Sequence, residues 1–176
     1  MVSWKWGVVL LGVLAALVVY VVATRPRPAP QTPALIPCGV LDTVYLRVQG
    51  GGRTLELQRS TPTAQWTVLQ PVEAPGDPGS VDFLVNEVNS LEVLNTISTP
   101  RPRSQYGLAE PAFDVSCRVK AGRSYNLTVG KQSFDGSGYY AQRGGDSRVY
   151  IISSVEVDAF DKALSKPPVK PAPSPR

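Results

Sequence analysis

The chain has 176 residues, 18 basic and 14 acidic side chains, a formal net charge of +4, two cysteines and no histidine. Without imidazole, Ser-His and Cys-His nucleophile pairs are excluded, and so is the commonest metal ligand. The positive charge suggests nucleic acid, but its distribution excludes that partner. Residues 38–165 hold twelve basic against fourteen acidic side chains, interspersed and without a basic block.

Residues 1–6 read as a short N-terminal tail containing Trp4, Lys5 and Trp6. Residues 7–23 (GVVLLGVLAALVVYVVA) carry no charge. As a helix they would cover roughly 25 Å, near the short end of what a bilayer core of about 30 Å requires. Trp4 and Trp6 favour one membrane interface, and Arg25 and Arg27 can snorkel to the other. The run predicts a single transmembrane helix at the cell membrane, with the lipid bilayer as its partner. A cleaved signal peptide ending at Val21-Val22-Ala23 is the competing reading. Residues 24–37 (TRPRPAPQTPALIP) hold five prolines and predict an extended linker. Its reach is at most about 40 Å.

Residues 38–165 read as one α+β domain. Val44, Leu46 and Val48 alternate with polar neighbours, and Gly50-Gly51-Gly52 lets the chain reverse into Leu55 and Leu57. A third strand runs through Trp66 and Val68 and stops at Pro71. Asp77 as N-cap with Pro78 at the first helical position predicts a helix. Val81, Leu84, Val85, Val88 and Leu91 form its apolar stripe, with Asp82, Asn86 and Asn89 on the solvent side. Residues 98–111 read as a loop. Strands follow through Phe113 to Val119, Tyr125 to Val129, Tyr139 to Gln142 and Val149 to Ile152. Ser153 and Glu156 predict a capping box, and Val157, Phe160 and Leu164 a short closing helix. The order strands-helix-strands-helix argues for a mainly antiparallel sheet. Residues 166–176 (KPPVKPAPSPR) hold five prolines and read as a disordered tail.

The search for chemistry assigns no catalytic, cofactor-binding or metal-binding residue. The acidic residues are scattered over polar faces, and a Ser-Lys dyad lacks any S-x-x-K run. Gly136-Ser137-Gly138 lacks the remaining glycine and helix start of a phosphate loop. Asp135 and Asp146 lack the spacing of a calcium loop and fit turn chemistry. Cys38 and Cys117 read either as a disulfide or as a free thiol pair with Cys117 a small buried apolar residue. Asn126-Leu127-Thr128 is a glycosylation sequon by pattern, placed within a strand. Tyr106, Tyr125, Tyr139, Tyr140 and Tyr150 are candidates for a ligand groove or ordinary strand aromatics.

Three patterns recur in order: Trp66-x-Val68-x-x-Pro71 before Asp77-Pro78, then Tyr106-Gly107-Leu108-x-x-Pro111, then Gly130 with Tyr139-Tyr140 and Val149-Tyr150. In this the chain resembles the bacterial domain-of-unknown-function family DUF4340 over about residues 40–165. The resemblance implies an N-terminal membrane anchor and, for some members, a place beside ABC-type transport systems. It implies no catalytic residue. Charges flanking residues 7–23 are nearly balanced, and the resemblance with the short tail tips the domain to the extracytoplasmic side. The function expected is a non-enzymatic binding or accessory module for an envelope or membrane complex. The alternatives are a hydrolase with a carboxylate or Ser-Lys site, and a structural envelope spacer.

Overall fold

The computed structural model describes residues 34–171, together with Leu14 and Leu17, which are helical and exposed. The expected tail at 1–6, the rest of the 7–23 anchor, linker residues 24–33 and tail residues 172–176 lie outside the described residues. Among the described residues no helix is long and apolar enough to cross a membrane. The chain divides into two units, Met1–Pro33 and Ala34–Arg176, and the second holds the entire sheet.

Among the described residues there are nine strands, several of them built on alternating apolar residues: β1 (Thr43–Gly50), β2 (Arg53–Gln58), β3 (Thr67–Gln70), β4 (Ala74–Pro75), β5 (Val93–Ile97), β6 (Phe113–Val119), β7 (Ser124–Gln132), β8 (Gly138–Arg143) and β9 (Val149–Ser153). They form one sheet in the order β4-β3-β2-β1-β6-β7-β8-β9-β5, with every pairing antiparallel. Helices α1 (Pro78–Asn89) and α2 (Ser154–Ser165) cover one face, so the α+β expectation holds for this unit. The layout is two meanders, each followed by a helix, joined where β1 pairs with β6.

The core lies between that face and the helices. Leu46, Val48, Leu55, Leu57, Val115 and Leu127 meet Val81, Val85, Val88 and Phe160. Each such side chain stabilises the fold by about 1.5–3 kcal/mol through burial. The opposite face is polar across β1, β2 and β6. Arg118 lies over the Tyr45 ring at 5.1 Å, and Arg47 pairs with Glu56 at 3.4 Å.

Several boundaries differ from expectation, each for a local reason. The folded unit starts before residue 38, because Leu35 and Ile36, two apolar residues between prolines, are buried in the core. Cys38 and Cys117 are joined as a disulfide with Cα atoms 6.5 Å apart, a separation such bonds span. The expected tail does not leave the domain at residue 166. Asp77 N donates to Pro168 O at 2.9 Å, Lys170 N donates to Pro75 O at 2.9 Å, and Val169 bridges Gly76. A proline-rich segment is already extended, and Val169 and Lys170 retain the amide hydrogens that prolines lack.

The expected capping box does not close. Ser153 Oγ accepts from Val155 N at 3.2 Å, as an N-cap should. Glu156 instead reaches Glu92 N at 3.1 Å, tying α2 to the chain entering β5. The edge strand β5 is blunted by a register shift and by Asn95 Oδ1, which takes the Thr96 amide at 2.7 Å.

Candidate functional site

An apolar concavity lies between the two helices, lined by no strand residue. Asp77 starts α1 by accepting from Ser80 N at 2.9 Å and Ser80 Oγ at 2.6 Å. That fixes the helix so that Val81, Leu84, Val85 and Val88 face the core, while Phe83 points outward and is 60% exposed. Ala159 and Ala163, one turn apart on α2, leave room beside it. The segment from Pro167 to Val169 walls the far side, giving a groove of about 740 Å³. Its charged lining is Asp77, Lys162 and Lys166. The Asp77 carboxyl lies below its ordinary pKa, chiefly because of the Ser80 hydroxyl and then the Ser80 amide. Among the described residues, Lys162 and Lys166 form no ion pair. Such a groove can bury an apolar segment and attract a carboxylate on its rim.

A second concavity of about 570 Å³ lies on the opposite face of the sheet. There the loop after β5 folds back, and Tyr106, Leu108 and Val149 form a small cluster with Ile97 and Tyr140. Gly107 ends a 3-10 turn (Arg103–Tyr106) with φ +71°, and a Cβ there would lie 2.7 Å from Lys131 N. A Cβ on Gly130 would collide with the Tyr106 carbonyl oxygen. The Tyr106-Gly107-Leu108 motif and Gly130 are therefore two halves of one backbone contact.

Of the five tyrosines singled out in the sequence, only Tyr106 and Tyr140 come together, edge to face at 4.9 Å. Both line this second cleft. Tyr125 and Tyr139 pack on the main core on the other face. Tyr150 is buried, and its hydroxyl donates to Asp146 at 2.6 Å.

The two turn aspartates are held by neighbours. Asp135 is lowered to about 2, first by the Ser133 hydroxyl, then by the hydroxyl and amide of Ser137. Arg148, then the Tyr150 hydroxyl, hold Asp146 well below the usual carboxylate range. Among the described residues no group of His, Cys, Asp or Glu is arranged to hold a metal ion. Asn126 of the sequon is exposed within β7.

Asp82 is not a bystander on the solvent side: Trp66 Nε1 donates to it at 3.3 Å. The buried Arg59 guanidinium stacks on the same indole at 4.3 Å and donates to Thr43 O at 2.8 Å and to Val40 O. Phe83 is the residue that sequence reasoning missed. A large aromatic on the polar side of an amphipathic helix is the signal for it.

A family model described as a domain of unknown function (DUF4340) matches residues 66–166. The matched span begins at Trp66 and leaves β1 and β2 outside it. No curated protein and no solved structure matches the chain.

Proposed function

The chain belongs to the DUF4340 family, and on that premise we propose a membrane-anchored, extracytoplasmic, non-enzymatic module that docks a protein partner of an envelope or transport-associated membrane complex. The observation carrying this reading is the groove between α1 and α2, with Phe83 exposed above Ala159 and Ala163. An exposed aromatic beside an apolar trough is the usual centre of a protein contact. The disulfide between Cys38 and Cys117 supports a place outside the cytoplasm, where such bonds persist. Residues 7–23 supply the anchor, and the shared membrane raises the effective concentration of a neighbouring partner.

The test is co-purification from membranes after mild crosslinking, comparing wild type with Phe83→Asp and Ala163→Glu. Phe83 is exposed, so the Phe83→Asp melt should stay near wild type while the partner is lost; Ala163 is half-buried beside the core, so Ala163→Glu is compared only where its melt shows folded protein. Unchanged recovery of the same partner by both variants would remove the groove from the interface. A partner retained by the domain after loss of residues 1–33 would make the anchor incidental.

A further inference from the structure

The β7–β8 hairpin carries Phe134, which is 101% exposed, the barest large apolar residue among the described ones. It is not a frayed tip. Asp135 Oδ1 accepts from Ser133 Oγ at 2.7 Å, Ser137 Oγ at 2.8 Å and Ser137 N at 3.1 Å. Ser133 Oγ also accepts from Gly138 N at 3.1 Å, and Phe134 N donates to the Tyr140 hydroxyl at 3.3 Å. The turn is thus stiffened from inside, with Asp135 occupied by it, while the phenyl ring is held in solvent.

Beside the ring lies the cleft containing Arg101 and Lys131, and no carboxylate lines it. Among the described residues neither cation forms an ion pair. The sequence shows no basic block because these two residues are far apart along the chain; the fold-back of the loop after β5 brings them together.

We propose that this hairpin is a bilayer-contacting tip, with phosphate headgroups of an anionic phospholipid surface held between Arg101 and Lys131 and Phe134 set into the interface. The pairing of an unpaired cationic cleft with a bare, rigid aromatic is the combination an anionic interface rewards. The site lies on the sheet face opposite α1 and α2, so it does not depend on the groove reading.

The probe is the full chain carrying Phe134→Trp, placed in vesicles of brominated phosphatidylcholine alone or mixed with brominated phosphatidylglycerol. Emission of the unmodified chain gives the background from Trp4, Trp6 and Trp66. The added indole emission should be quenched in the mixed vesicles and not in phosphatidylcholine. Adding Arg101→Ala and Lys131→Ala should lower the surface-bound to free ratio roughly thirty-fold, at the usual contribution of a basic residue near an anionic surface. Equal emission in both vesicles overturns the proposal, as does quenching that survives the double substitution. Shielding from an aqueous quencher only in native membranes with their proteins present would make the tip a protein contact. An equal response to free glycerol phosphate would make it a small-anion site. Either result also overturns the lipid assignment.

Discussion

Removing the disulfide is the sharpest test of how the incoming chain is fastened to the sheet. Cys38 lies just after the buried pair Leu35 and Ile36, and Cys117 lies on β6 at the centre of the sheet. The bond closes a loop across a sequence separation of 79. On the chain-entropy model, such a loop constrains the unfolded state by roughly 4.5 kcal/mol at 25 °C, and removal of native bonds costs about 2–5 kcal/mol. For a unit of this size each kcal/mol moves the melting temperature by about 4 °C, so a drop of roughly 10–20 °C is expected. The perturbation is Cys38→Ala with Cys117→Ala, which keeps both positions small and apolar and adds no buried polar group. The assay is a thermal melt with a urea titration alongside, and thiol titration of the unfolded wild type. A double variant that melts with wild type, or two titratable thiols in oxidised protein, would refute the fastening.

Gly130→Ala should lower the melting temperature measurably, because its methyl group would meet the Tyr106 carbonyl; a melt equal to wild type would break the link between that motif and β7. Leu84→Asp or Val88→Asp should unfold the domain by burying an unpaired charge, whereas Asp82→Ala should cost only about 1 kcal/mol, the Trp66 hydrogen bond. Chemical denaturation separates them, and equal losses would contradict the helix placement. Asp146 has a depressed folded pKa, so its contribution is fully present above the ordinary carboxylate value near 3.9 and fades as pH falls towards the folded value. The stability gap between wild type and Asp146→Asn should therefore be flat near neutrality and shrink below about pH 4; urea midpoints across pH would show it, and a gap that widens on acidification would reverse the sign.

Most of the sheet was legible because its strands alternate cleanly, and α1 because Asp77, Pro78 and the Val81-Leu84-Val85-Val88 stripe agree. What escaped was non-local. Strand β5 lies at a sheet edge, exposed and with a register shift, so Val93 to Ile97 shows no alternating burial. Glu156 has the spacing of a capping residue, but a chain entering from β5 offers its side chain a different amide. The pairing of Cys38 with Cys117 depends on how the buried residues Leu35, Ile36 and Cys38 pack into the core, which no local pattern encodes. The groove was hidden for the same reason: Phe83, Ala163 and Val169 come from three separate elements, and only packing makes them one surface.

The most direct measurement of the central claim places a photoreactive residue at Phe83 and, in a separate chain, at Gln49 on the open sheet face, in cells with the anchor intact. Irradiation should give a discrete protein adduct from position 83, weakened by Ala163→Glu, and none from position 49. Adducts of equal yield from both positions, or none from position 83 in folded protein, would contradict a docking role for the groove between the helices.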